Sequence, residues 1–313
     1  MLEVRNVTIE GVDLAGKTTL YTNIHRNSKF RWNVQDRSHL SMLCYARQFN
    51  RGDHVVKRWR REMWACLMDL NNRVIVLLPD LDVLRARLKK RGDEFQTLES
   101  LEMLHRIFTE EVLLLEDLPN VLVLRGVGKK NDAALKCVKW LEMCELTSPL
   151  GVAREVRELV TATHNMEAPG CRFQYRLDPT SLSVPDPSVL RYRPEESYYA
   201  KILSRVIKNI EDELSGRNPY GRKEDIYATR RFIYTQDSCI SLIHTMVRGN
   251  QVKMRVYCRS SDVKETFSHD FQFICYLYSR IYDHLASRCG WSYPARGDFV
   301  IDVELGSAHI PKH

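Results

Sequence analysis

The sequence is short of several things at once. Its nine cysteines are odd in number and include no C-x-x-C pair, which argues against both a disulfide framework and a zinc site. No apolar run approaches the roughly 18 residues of a membrane span, and no N-terminal stretch has the pattern of a signal peptide. A reducing cytoplasm is the expected compartment, with no membrane partner. Glycine (14) and proline (11) are sparse among 313 residues, and no internal repeat or low-complexity segment occurs, which excludes solenoids and fibrous arrays. Acidic residues fall short of basic ones, 40 against 47, leaving a formal charge of +7. That balance suits anionic ligands. The basic residues are dispersed and not gathered into a tail, so nucleic acid is permitted but not favoured.

What is present is a phosphate-binding pattern. Gly11, Val12, Asp13, Leu14, Ala15, Gly16, Lys17, Thr18 and Thr19 fit G-x-x-x-x-G-K-[ST]. The apolar run Val4 to Ile9 before it reads as a strand, and Thr18 to Ile24 after it reads as the start of a helix. Glycines let such a loop wrap closely, successive backbone N–H groups face phosphate oxygens, and the helix N-terminus adds a favourable dipole. Lys17 is expected to reach the β- and γ-phosphates of ATP, and the Thr18 hydroxyl to sit on Mg²⁺.

Asn33 to Asp36 reads as the end of a second strand. Asp36 could contact Mg²⁺ or take a proton and Arg37 could hold an acceptor phosphate, or the two form a solvated turn pair. His39 to Arg51 and Lys57 to Leu70 have helical periods. Arg73 to Asp80 reads as a buried strand, Leu81 to Lys90 and Leu98 to Leu118 as helices, Asn120 to Leu124 as a strand, and Ala133 to Cys144 as a closing helix. The alternation predicts an α/β domain with a parallel sheet covered on both faces. The basic run Arg87 to Arg91 could close over phosphates as a lid, or simply complement a helix C-terminus.

On the phosphate loop, Asp36-Arg37-Ser38 and that basic run, this half resembles the thymidylate kinase and deoxynucleoside kinase group of P-loop enzymes. The resemblance implies an acceptor site at Asp36 and Arg37, lid roles for Arg87 and Arg91, and ATP with Mg²⁺ as cofactors. Thr147 to Gly151 breaks the last helix, so residues 1–148 and 149–313 are the expected domains.

The second half is less periodic at first. Ala168 to Pro194 reads as an extended arm or a poorly ordered connection, because Pro169, Gly170, Pro179, Pro185, Pro187 and Pro194 fall in it. Tyr198 to Leu214 is helical. Phe232 to Tyr234, Cys239 to Val247 and Lys253 to Tyr257 are strands, Phe271 to Leu285 is a helix, and Asp298 to Leu305 is a final strand. An α+β domain is expected.

Arg230, Arg231, Cys239, Arg259, Ser260, Ser261, Asp262 and the run Gly306 to Ile310, with twenty positions from Cys239 to Arg259, resemble thymidylate synthase and deoxycytidylate hydroxymethylase. Residues 149–225 match weakly. The resemblance implies Cys239 as a nucleophile adding to C6 of a pyrimidine ring. It implies Arg230, Arg231, Arg259 and Ser260 as phosphate donors, the paired arginines coming from the second subunit of a homodimer. Ser261 joins this substrate-binding run. Asp262 would orient a methylene-tetrahydrofolate, His309 would meet the ribose, and Asp270 would accept from a cytosine amine. Pro311 stands where the family has tyrosine, and the chain stops before a segment that closes over folate, so binding without turnover is one expectation.

The combined expectation is an enzyme of pyrimidine nucleotide metabolism. It would pass the γ-phosphoryl of ATP to a nucleoside or nucleoside monophosphate, and a C5 methyl- or hydroxymethyltransferase-like domain is fused to it. Virally encoded modified-base synthesis would be a natural setting. Two alternatives are a kinase acting on hydroxymethylpyrimidine within DNA and a nucleotide-sensing protein with an inactive synthase-like domain.

Overall fold

The computed structural model of the chain describes residues 1–91, 96–126, 130–177, 196–215, 232–248, 251–289 and 299–311. They form two compact units, one of Val4–Glu145 and one of Met1–Glu3 with Leu146–His313.

In the first unit four parallel strands, β1 (Asn6–Gly11), β2 (Asn33–Asp36), β3 (Asn72–Leu77) and β4 (Val121–Leu124), lie in the order β2-β1-β3-β4. Among the described residues six helices connect and flank them: α1 (Lys17–Ser28), α2 (His39–Gln48), α3 (Asp53–Leu67), α4 (Leu81–Arg91), α5 (Leu98–Val112) and α6 (Lys130–Met143). Val7 and Ile9 share a core with Leu20 and Ile24 of α1 and Cys137 and Leu141 of α6. On the strand's other face Glu10 meets Ser38 and Ser41 at the start of α2. Side chains alternate across a strand, so β1 carries apolar contacts on one face and a buried carboxylate on the other. From β1 the chain steps to β2 on one side and to β3 on the other. The order therefore reverses at β1, and in open parallel sheets ligands bind outside the carboxyl ends of strands at such a point.

The second unit holds a six-stranded sheet among the described residues. Its order is β5 (Glu167–Arg176), β10 (Val300–His309), β8 (Gln251–Cys258), β7 (Ile240–Arg248), β6 (Phe232–Thr235), with β9 (Ser261–Asp262) pairing only β10. β10 runs antiparallel to β5 and parallel to β8. Among the described residues three helices accompany it: α7 (Pro149–Ala162), α8 (Glu196–Leu214) and α9 (Phe267–Cys289). Tyr199, Ile202, Val206 and Ile210 form the buried stripe of α8, and α9 buries Phe267, Phe271, Ile274 and Leu285.

One expectation changes here. Ala168 to Arg176 is neither an arm nor a loose connection but belongs to β5, with Cys171, Phe173 and Tyr175 buried on alternate positions. Pro169 and Gly170 sit within that edge strand, where a missing N–H breaks no ladder on the outer side. Phe173 and Tyr175 then pack edge-on against Phe271. Residues 178–195 of the same stretch lie outside the described residues, as do Arg230 and Arg231. The long helix expected to Leu118 ends at Val112 and continues as turns.

Candidate active site

The loop after β1 has the backbone its sequence requires. Gly11 takes φ +140°, and a Cβ there would lie 2.2 Å from the Leu77 carbonyl oxygen. Only glycine lets β1 and β3 approach so closely at their carboxyl ends. Leu14 follows at φ 63° and Gly16 at φ 101°, the latter capping α1. Left-handed residues spaced this way turn the intervening N–H groups into one concavity, a nest for anions at a helix N-terminus.

Lys17 is buried, and its ammonium donates to the carbonyls of Gly11 (2.8 Å) and Val12 (2.9 Å) while lying 4.0 Å from Asp13 Oδ1. Burial first, and then the Arg37 guanidinium, hold its pKa below the usual lysine value. Thr18 and Thr19 are exposed on the first turn of α1. Asp36 is exposed at the end of β2 and close enough to Lys17 to act on its charge. A hydroxyl and one carboxylate beside a phosphate cradle are the donor set that Mg²⁺ accepts, since it keeps several waters and takes one or two carboxylates with substrate phosphates.

Asp13 has a different task. Its carboxylate accepts from Arg37 Nη2 (2.8 Å), the Tyr45 hydroxyl (2.8 Å to both oxygens) and Gln96 Nε2 (2.7 Å). The turn that brings Arg37 there is strained, with φ 68°. It is pinned on both sides, Arg37 N donating to Ile9 O at 2.9 Å and Ser38 N to Glu10 Oε1 at 2.8 Å. Glu10 also accepts from the Ser41 N–H at 3.1 Å and from the Ser41 hydroxyl. Burial pushes the Glu10 carboxyl up to about 7, against the lowering effect of these hydrogen bonds.

On the loop's other flank a cavity of about 510 Å³ opens, walled by Leu14, Leu77, Pro79, Leu124 and Ala133. Arg87, Lys90 and Arg91, spaced i, i+3, i+4 on α4, complete its wall. Arg87 Nη1 donates to the carbonyls of Leu14 (2.7 Å) and Ala15 (2.8 Å), which ties the basic helix to the phosphate loop. An apolar pocket edged by cations beside an anion nest fits a flat base joined to phosphates.

The sequence-predicted residues of this unit thus gather at one sheet edge, with Arg37 turned onto Asp13. Sequence reasoning missed Glu10, Tyr45 and Gln96 as members of the site. Glu10 carried a signal, an acid at the end of an apolar strand directly before the loop. Gln96 carried none, since it reaches Asp13 across 83 positions.

In the second unit Cys239 is half-buried and its carbonyl accepts from Arg259 N at 2.9 Å. Arg259 is exposed and ion-paired with Asp237. Ser260 Oγ lies 3.5 Å from His309 Nδ1, and Ser261 is buried on β9. Asp270, 1 % exposed in the first turn of α9, accepts from the Tyr199 hydroxyl at 2.7 Å. Burial first, then the nearby Asp270 and Cys239, raise the buried Cys258 thiol well above its ordinary value. Asp262 is half-buried, and its Oδ1 caps the following turn, accepting from the N–H of Lys264 (2.9 Å) and Glu265 (3.2 Å).

No family model matches the chain, and no curated protein matches it. Among solved structures it is similar to the YorR protein of Bacillus subtilis, determined in complex with phosphorylated GDP. Identity is 18%, the TM-score is 0.35, and the match covers 44% of this chain and 96% of that one. A likeness of that size adds nothing to what the loop geometry establishes.

Proposed function

We propose that the Val4–Glu145 unit is a phosphotransferase that moves the γ-phosphoryl of ATP, with Mg²⁺, to a pyrimidine nucleoside or nucleoside monophosphate. The observation that carries this reading is the anion nest, with the Lys17 ammonium folded over it and the cation-edged cavity on one flank. The cavity would take the donor base. The loop N–H groups and Lys17 would hold the β- and γ-phosphates, and Arg87 and Arg91 would offset charge on the group in transit. When bound through Thr18, the metal would draw charge from the phosphate oxygens.

On the opposite flank Asp13 and Arg37 orient the acceptor. The acceptor oxygen forms the new bond to phosphorus as the bond to the leaving ADP oxygen breaks. Where the acceptor is a hydroxyl, its proton passes to the exposed Asp36 carboxylate. The test is transfer of label from γ-labelled ATP to pyrimidine nucleosides and their 5′-monophosphates. Lys17→Ala should lower transfer at least about 100-fold, since one charge-stabilising donor is typically worth that much. ATP binding with no transfer to any acceptor would overturn the kinase reading in favour of nucleotide sensing.

For the second unit, the closeness of Cys239, Arg259 and Asp270 favours a pyrimidine nucleotide site. Arg259 and Ser260 would bind phosphate, His309 the ribose and Asp270 a cytosine amine. Cys239 would be the nucleophile at C6. Exchange of the C5 proton of labelled dCMP or dUMP checks this. It should vanish in Cys239→Ser; nucleotide binding without exchange in the wild-type chain would assign the unit to sensing.

A further inference from the structure

A track of rings and guanidinium groups leads away from Asp13 along α2. The Arg37 guanidinium lies over the Tyr45 ring, 5.7 Å from its centroid. Tyr45 and Phe49, one turn apart, have centroids 6.1 Å apart with planes inclined by 9°. The Arg51 guanidinium covers Phe49 at 5.5 Å. Phe49 is 56% exposed, Arg37 and Arg51 are exposed, and Tyr45 is half-buried. The near end is fixed to the acceptor flank, because Arg37 and the Tyr45 hydroxyl both hold Asp13. Past Arg51, α3 presents His54, Lys57, Arg58 and Arg61 at i, i+3, i+4 and i+7, all exposed, and none has an acidic partner among the described residues.

A cation over an exposed ring stabilises the free protein by only about 0.5–1 kcal/mol, so an exposed phenylalanine kept in this way points to a ligand with flat faces. Single-stranded nucleic acid supplies both needed parts, bases that stack on rings and phosphates that meet cations. In a duplex the base faces are closed to such stacking. The track offers faces and charge and no spare hydroxyl, since that of Tyr45 is spent on Asp13, so nothing here favours a ribose 2′-hydroxyl. We propose that this surface binds single-stranded DNA and delivers a strand-borne acceptor nucleotide to Asp13 and Arg37. Delivery rests on the phosphotransferase reading; strand binding does not.

The experiment titrates the full chain into a fluorescently labelled oligo-dT, with duplex DNA and oligo-U as parallel arms, and follows anisotropy. Both Phe49 and Arg51 are exposed, so Phe49→Ala with Arg51→Ala should keep the fold, and a thermal melt checks that. Oligo-dT should bind more tightly than duplex or oligo-U, and the double variant should weaken it by about 10-fold or more, the scale of one lost base stack. Arg51→Ala alone should reduce the slope of log K against log salt by about 0.7. Lys17→Ala should bind the strand like wild type. Label from ATP should reach a 5′-hydroxyl oligonucleotide, and the double variant should lose this while still labelling free nucleotides. No strand binding at low salt, unchanged binding in the double variant, or tighter binding of duplex or oligo-U would overturn the surface. Label reaching free nucleotides but never the strand would overturn delivery alone. Label reaching no acceptor, with strand binding intact, would remove the phosphotransferase reading and delivery with it but leave the surface standing.

Discussion

The two units hold their candidate residues in opposite ways. Around the phosphate loop two charged groups are buried at the centre of the site and the backbone is strained. Glu10 is 1 % and Lys17 6 % exposed, and Gly11, Leu14, Gly16 and Arg37 all have positive φ. In the second unit the candidate charges sit mostly in water and partner one another, Arg259 with Asp237 and Asp262 with its own turn. Among the described candidate charges of that unit, only Asp270 is fully buried. Strain and buried charge persist where the surrounding structure over-determines them, and they cluster where groups must be held for a ligand. By that measure the first unit is the better organised site.

The sharpest test of the contrast is a pair of glycine substitutions. Gly11→Ala places a Cβ 2.2 Å from a backbone carbonyl oxygen at a φ of +140°, and should cost about 4 kcal/mol in urea denaturation of the first unit. Gly306→Ala meets the Tyr257 hydroxyl at 2.3 Å and the Arg259 carbonyl oxygen at 2.9 Å. The tyrosine tip can turn away, so about 2 kcal/mol is expected. Equal costs would break the contrast.

Next comes buried charge. With the folded Glu10 carboxyl at about 7 and the unfolded value at 4.5, the folded state binds the extra proton between those values. Its stabilising contribution is complete below pH 4.5 and is lost as pH rises through 7. Wild-type stability should therefore fall by about 3 kcal/mol from pH 4.5 to 8 on this account, and Glu10→Gln should remove that decline. Parallel slopes for the two proteins would show that Glu10 does not titrate in this range.

A smaller effect tests whether the first unit's scaffold shares this dependence on buried charge. Glu111 is buried and accepts from Arg47 Nη1 (2.8 Å) and Arg60 Nη2 (2.5 Å). Glu111→Ala should cost about 2 kcal/mol, less than for a fully buried network because both arginines reach water. The smallest effect is a control that should be equal in both units. Thr97 and Ser148 cap α5 and α7 by accepting from the N–H of Ser100 (3.1 Å) and Gly151 (3.0 Å). Each change to alanine should cost about 1 kcal/mol, read by thermal denaturation. A large difference between the two caps would mean that the units differ in general stability as well as in their sites.

What the sequence determined by itself was whatever depends on neighbours along the chain. Residues 11–19 form one contiguous loop and first helical turn, because a nest and a helix N-terminus need only local φ values and the right glycines. The strands β1, β3 and β4 were legible because buried parallel strands are short apolar runs. β5 was not, since Pro169 and Gly170 are loop residues in isolation and only pairing with β10 makes them part of an edge. Tertiary structure alone decided the company of Asp13, whose partners Arg37, Tyr45 and Gln96 lie 24, 32 and 83 positions away. It also decided that Asp270 would be buried beside Tyr199, 71 positions distant, and that Asp262 would serve its own turn. A carboxylate's role depends on which donors reach it first in space, and periodicity along the chain does not record that distance.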